Sequence, residues 1–235
     1  MNDIQDAFWV AFALLWQFDA RLFDIVLLSL QVSLSAVLIA ALIGMPLGAL
    51  LALRRFPGRR AAIVLMNVLM GLPPVVVGLV IYLLFSRSGA FGVFGLLFTP
   101  AAMIVAQVIL VTPIVASLSR QVFETLWEEY RETFESLDVT PAGGVAALIW
   151  DGRFALLTAL LAGFGRAVAE VGAVMIVGGN IDHVTRVMTT AIALEVSKGD
   201  LPLALGLGIV LLLLALAVNA AAYGFKEFAE ARVAA

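Results

Sequence analysis

Cysteine is absent from the 235-residue sequence, and histidine occurs once, at His183. Those two facts exclude disulfides, thiol nucleophiles, thiolate-bound metals and multi-histidine metal sites. Charge is scarce too: Asp, Glu, Lys and Arg supply 13% of the residues, against about 25% in soluble domains. No Gly-x-x-x-x-Gly-Lys-Ser/Thr phosphate loop occurs, so the sequence offers no nucleotide site of its own. The segment Met1 to Asp6 is acidic and lacks the basic region of a cleaved signal peptide, so the first span is expected to stay as the insertion signal. What fills the sequence instead is apolar side chain, 63% of residues, with a mean hydropathy of +1.09. This is the composition of an integral membrane protein, and at roughly 20 apolar residues per crossing the length accommodates about five or six spans.

Four stretches carry no charge: Ile25 to Leu53, Ala61 to Phe85, Pro100 to Ser119 and Leu201 to Phe225. A fifth, Phe154 to Ile181, carries only Arg166 and Glu170. The reading is one all-α transmembrane domain over 1–235, with spans near 25–53, 61–85, 100–119, 154–177 and 201–225. Ala7 to Phe18 is apolar and aromatic but only twelve residues long, which suits the interface, with Trp9 and Trp16 at headgroup depth. Counting it as a span would give six.

Basic residues in short loops face the cytoplasm. Arg54, Arg55, Arg59, Arg60, Arg120, Arg131, Arg153, Lys226 and Arg232 fall on one side, nine in all; Arg21, Arg87, Arg186 and Lys198, four, fall on the other. The amino terminus is therefore expected outside and the carboxyl terminus in the cytoplasm. The longest cytoplasmic segment, within 124–153, reads as two short helices: Glu124 to Leu137, then Ala142 to Trp150 behind a Thr140-Pro141 cap. They form either a docking surface or a plain tie between two spans.

Helix breakers recur at Gly44-Met45-Pro46-Leu47-Gly48, Gly71-Leu72-Pro73-Pro74 and Pro113. At membrane depth, irregular backbone persists where protein or a water-filled cavity surrounds it, so these helices are expected to pack closely or line a path. Gly163 and Ala167, or Gly206 and Gly208, are the expected points of close approach across a dimer. Arg166 and Glu170, four residues apart, are expected on one helix face, where each can neutralise the other. Two roles stay open for them: contact with a bound dianion, or an internal salt bridge that fixes packing. The second is preferred, because a carboxylate beside the path would repel an anion.

The segment Gly163-Phe164-Gly165-Arg166-Ala167-Val168-Ala169-Glu170-Val171-Gly172-Ala173, with Val177-Gly178-Gly179-Asn180-Ile181, Thr185 to Ile192 and Leu72-Pro73-Pro74-Val75-Val76-Val77-Gly78-Leu79, resembles the membrane-spanning subunits of type I ABC importers. Within that family it is most similar to the tungstate and molybdate permeases, over about residues 25–225. Glu132-Thr133-Phe134-Glu135-Ser136-Leu137-Asp138 is a degenerate form of the family's cytoplasmic coupling signature, matching at Glu132 and Leu137. The resemblance implies the type I permease fold, with about five transmembrane helices and a cytoplasmic coupling helix. It implies a homodimer in the cytoplasmic (inner) membrane, two cytoplasmic ABC ATPase subunits that bind ATP and Mg²⁺, and an extracytoplasmic tungstate-binding protein. The chain itself holds no cofactor.

On this resemblance Glu132, Glu135, Leu137, Pro141, Leu148 and Trp150 couple to the ATPase, and Glu135 has a solvated acidic face as its simpler reading. Arg166, Asn180, Thr185, Arg186, Thr189 and Thr190, with Glu170, make the polar intramembrane set. The Gly178-Gly179-Asn180 run also reads as a plain helix-ending turn. His183 and Arg186 are expected in an outer loop, exposed or facing a binding protein. The implied function is ATP-driven import of tungstate, or of molybdate, by alternating access. Rival readings are a permease for another oxyanion such as sulfate, an ATP-independent channel or secondary carrier, and a membrane scaffold.

Overall fold

The computed structural model describes residues 20–233 and, before them, residues 8, 9, 12, 13 and 16. The acidic start and most of the expected interfacial segment lie outside the described residues; within that segment the Phe12 and Trp16 rings stack at 5.7 Å. Every regular element is helical: α1 (Ala20–Leu53), α2 (Arg59–Met70), α3 (Pro74–Phe85), a 3₁₀ turn (Gly92–Phe94), α4 (Pro100–Ser136), α5 (Pro141–Asp151), α6 (Arg153–Val168), α7 (Gly172–Gly178), α8 (Met188–Lys198) and α9 (Leu201–Val233). Three helices, α1, α4 and α9, are each long and apolar enough to cross a membrane alone, and counting two bent pairs gives up to five spans.

One bent pair is α2 and α3, which meet at 98° across Gly71-Leu72-Pro73. Each is 12 residues, about 18 Å, well short of a hydrocarbon core of about 30 Å. Proline 74 cannot donate to the preceding turn, so the break falls where the sequence puts its prolines. The other bent pair is α5 and α6, at 69°.

α4 is the spine. It runs 37 residues as one helix, about 55 Å, with Pro113 inside it. Glu124 to Leu137 is thus not a separate helix: all but Leu137 continues α4, with Phe123 buried on the same rod. α1 lies along α4 through its glycines. A Cβ on Gly44 would stand 3.1 Å from the Ala116 nitrogen, and one on Gly48 only 2.7 Å from the Ala116 carbonyl oxygen. Such backbone approach is how helices associate where lipid and protein are equally apolar.

Gly163 faces Val111 and Val115 of the chain's own α4, and Ala167 is buried there, so this pair serves packing within one chain rather than close approach across a dimer. Gly208 faces open space. A central apolar cluster joins α1, α3, α4 and α7 through Val32, Val77, Ile81, Met103, Leu110 and Val174.

Candidate functional site

The expected fifth span is not one helix. α6 stops at Val168, α7 starts at Gly172, and Glu170 lies in the break between them. The ion pair with Arg166 forms nonetheless, at 2.6 Å, between a carboxylate 3% exposed and a guanidinium side chain 30% exposed. Ending the helix releases Glu170 to do a second job: its other carboxylate oxygen accepts from the Ala173 backbone N–H at 3.0 Å, capping α7. Its carbonyl accepts from the Thr189 hydroxyl at 2.8 Å, which ties the break to α8.

Gln107 of α4 completes the knot. Its Nε2 donates to the Ala167 carbonyl at 3.0 Å, one of the last acceptors of α6, while its Oε1 has no partner among the described residues. From α1, the Ser29 hydroxyl accepts from the Met188 N–H at 2.8 Å, at the start of α8. Ser29, Ser33, Gln107, Glu170 and Thr189 surround a void of only about 10 Å³, near the lower limit for one water. The centre is polar and tied by short bonds except at Gln107 Oε1, with little free space in this conformation.

The remaining residues of the polar set are tied into the loop after α7. Gly179 and Asn180 take positive φ, 70° and 50°, and end the helix as a plain turn. Thr185 is buried; its hydroxyl donates to the Gly178 carbonyl at 2.6 Å and accepts from the Ile181 N–H at 2.9 Å. Asn180 Nδ2 donates to the Thr190 carbonyl at 3.3 Å, and the Thr190 hydroxyl accepts from the Val187 N–H at 3.1 Å. Arg186 pairs with Asp182 at 2.7 Å, and exposed His183 faces Asp24 at 3.6 Å. In this conformation the threonine hydroxyls bond backbone groups.

At the other end, Thr140 caps α5 by accepting from the Gly143 N–H at 3.3 Å, with Pro141 as its first residue. Leu148 is fully buried among Phe123, Leu156, Leu126 and Tyr130, so it anchors α5 to α4 and α6. Trp150 is 69% exposed and Ile149 is exposed beside it. Arg153 lies 4.6 Å from the Trp150 ring centre and 4.5 Å from that of Phe154, and it donates to the Trp150 carbonyl.

Tyr130 donates its hydroxyl to Asp151 at 3.0 Å. That hydrogen bond, the Asp151 charge and that of Glu129 hold the phenol above the ordinary tyrosine range. Glu132, Glu135 and Leu137 are exposed around the end of α4, and Glu135 pairs loosely with Arg131 at 3.8 Å. A further tie went unread in the sequence. Arg59 donates to the Leu51 carbonyl at 2.6 Å and to Glu124 at 2.6 Å, and Arg120 also pairs with Glu124.

Among the described residues no group of three or more His, Asp or Glu side chains is placed to hold a metal ion. Residues 44–235 match the family of binding-protein-dependent transport system inner membrane components. The chain belongs to this family. It is 39% identical over 227 residues to the "Tungstate uptake system permease protein TupB" of Peptoclostridium acidaminophilum, covering 97% of this chain and 100% of that protein. It is also 39% identical over 211 residues to a "Probable anion ABC transporter permease protein" of Haloferax volcanii, covering 88% and 91%. A second tungstate uptake permease, from Campylobacter jejuni, is 45% identical over 128 residues, 54% of each chain. The protein is a multi-pass membrane permease, and its all-helical arrangement of up to five spans agrees with the type I fold expected from its sequence.

Proposed function

We propose that the chain is the translocating subunit of an ATP-driven importer for tungstate, with molybdate as the nearest alternative cargo. The observation that carries the reading is the similarity to a tungstate uptake permease across 97% of this chain and the whole of that relative. The working unit is a homodimer with two cytoplasmic ATPases, which bind ATP and Mg²⁺, and an extracytoplasmic oxyanion-binding protein. The amino terminus is outside and the carboxyl terminus in the cytoplasm, on the distribution of basic residues.

In this reading the exposed Ile149–Trp150 end of α5 meets the ATPase, while Leu148, Tyr130 and Arg153 hold that end rigid. Glu132, Glu135 and Leu137 border the same contact. Closure of the ATPases moves α5 with α4 and α6, and the α6–α7 break is where that motion opens the path. Arg166 is neutralised by Glu170, so the pair holds the closed state together and forms no fixed anion well. A path that binds its cargo weakly releases it, and selectivity is left to the binding protein.

The test is uptake of tungstate into vesicles containing this chain, its ATPase and its binding protein, with molybdate and sulfate as competitors. The reading expects uptake that needs ATP and all three components, with tungstate the competitor effective at the lowest concentration. Uptake by this chain alone makes it a channel or carrier. Sulfate as the best competitor changes the cargo.

A further inference from the structure

The connection between α3 and α4, residues 86–99, carries one charge, Arg87, which is also the only charge between Arg60 and Arg120. Its apolar side chains are not folded away: Phe91, Phe94 and Phe98 are 46%, 68% and 41% exposed, and Val93 is 97% exposed. Apolar groups gathered at a surface in this way mark a face that meets lipid or protein.

The segment is nonetheless tightly built, and its backbone closes on itself. The N–H groups of Gly89, Phe91, Gly92, Phe94 and Gly95 donate in turn to the carbonyls of Ser86, Leu84, Gly89, Phe91 and Gly92, at 2.8 to 3.2 Å. A Cβ on Gly89 or Gly92 would collide with the carbonyl oxygens of Leu83 or Ser86, so glycine is what lets the turn wind back onto the end of α3. The Phe91 ring meets Phe85 edge-on at 6.1 Å and lies 6.4 Å from Phe94. Non-helical backbone satisfied from within is what a segment needs where water is scarce.

Depth decides between lipid and water. α4 carries no charge from Pro100 to Ser119, 20 residues or about 30 Å, and its first charge is Arg120. That length matches the hydrocarbon core. With Arg120 at one boundary, Pro100 stands at the other, and the loop just before it lies at headgroup level. An exposed apolar face of α3, made by Val76, Leu79, Val80 and Leu83, leads up to the same place.

We propose that residues 86–98 form an interfacial foot: Phe91, Val93 and Phe94 insert between the headgroups and upper acyl carbons of the leaflet at the Pro100 end of α4, with Arg87 at phosphate level. The foot also holds α7. Phe98 has a φ of 63°, an unusual angle for a bulky residue, and is fixed there from three sides. Its N–H donates to the Val177 carbonyl at 2.9 Å, its ring lies 6.2 Å from that of Tyr82, and it packs against Gly179. The far end of α7 is thereby tied to a segment seated in the leaflet, while its near end is tied to the Glu170 break. The foot itself does not depend on the cargo or on the ATPase assigned above.

The sequence has no cysteine, so one introduced thiol is unique. The experiment places a nitroxide on Val93→Cys in the full chain in phosphatidylcholine nanodiscs. Power saturation then compares collision with oxygen, which concentrates in lipid, and with nickel–EDDA, which stays in water. Leu212→Cys, on the 71% exposed position of α9, is the lipid reference, and exposed Glu132→Cys is the water reference. Nickel collision at position 93 should be at least threefold below that at 132, with oxygen collision within twofold of that at 212. Adding Phe91→Ser and Phe94→Ser should raise nickel collision at 93 at least twofold.

Nickel collision at 93 equal to that at 132 puts the loop in water and overturns the proposal. Low collision with both reagents overturns it too, because protein, such as a second copy of the chain, would then cover the loop. So does a nickel signal unchanged by the two serines, since the phenylalanines would not be seating it. The Val93 side chain is almost wholly exposed, so the first arm does not rely on a variant that disturbs packing. Transport is not read in any arm, and failure of the importer reading would register elsewhere.

Discussion

Replacing Glu170 with Ala removes two interactions at once: the 2.6 Å pair with Arg166 and the 3.0 Å cap on Ala173. Breaking one side of a buried pair costs about 3–5 kcal/mol. Losing a helix cap adds about 1 kcal/mol. Arg166 retains 30% exposure and can reach polar surroundings, which brings the expected total to about 3–4 kcal/mol, or two to three orders of magnitude in the folded-to-unfolded ratio. Glu170→Gln keeps an acceptor for Ala173 and should cost less, about 1.5–3 kcal/mol.

The charge swap, Arg166→Glu with Glu170→Arg, is the more discriminating variant. It restores opposite charges but puts a side chain without an acceptor where α7 needs one, so it should recover little. Arg166→Met with Glu170→Gln leaves no unpaired charge and should come closest to the parent. The assay is equilibrium unfolding of the purified chain in mixed micelles, with size exclusion to check dispersity. Full rescue by the swap would refute the capping role, and a Glu170→Ala variant within 1 kcal/mol of the parent would sink the account of the break.

Trp150→Glu should leave the fold intact and abolish substrate-stimulated ATP hydrolysis in the assembled complex, whereas Leu148→Glu buries a charge and should expose 124–153 to limited proteolysis. Normal stimulation with Glu at 150 would move the contact elsewhere. Gly48→Ala drives a Cβ to 2.7 Å from the Ala116 carbonyl oxygen and should cost about 1–3 kcal/mol in unfolding, while Gly165→Ala meets nothing within 4 Å and should be silent. The Tyr130–Asp151 tie favours the neutral phenol, so its contribution is complete below the ordinary tyrosine pKa of about 10 and is lost as pH rises through the raised value. Protease resistance of α5 should fall in that alkaline window, and Tyr130→Phe should remove the pH dependence.

The sequence was legible where single residues dominate the physics. Gly71-Leu72-Pro73-Pro74 announced a break, and a 98° bend is there. Arg166 and Glu170 announced a pair, since two lone charges in an apolar run have no cheaper arrangement. The end of α6 at Val168 was hidden because i,i+4 spacing satisfies the pair whether or not the helix continues. Charge also misled at Glu124: it marks the change from lipid to water, and α4 simply carries on through it.

Leu148 was grouped with Trp150 as a coupling residue on the family resemblance. Helical spacing separates them, since Gly144, Leu148 and Gly152 fall inward while Ile149 and Trp150 fall outward. Gln107 went unremarked because it is uncharged, although it is the one carboxamide in the stretch from Pro100 to Ser119 and thus a signal in plain view. The double grip of Arg59 depends on α1 and α4 lying side by side, which no local pattern announces.

α4 also behaves as a mechanical arm. Proline 113 interrupts its hydrogen-bond ladder once, and the 24 residues from there to Ser136 form an unbroken strut about 36 Å long. A swing of about 5° at that soft point carries the far end about 3 Å. Because Arg59 bonds both the Leu51 carbonyl at the end of α1 and Glu124 on the strut, the foot of α1 is hauled along by the same stroke.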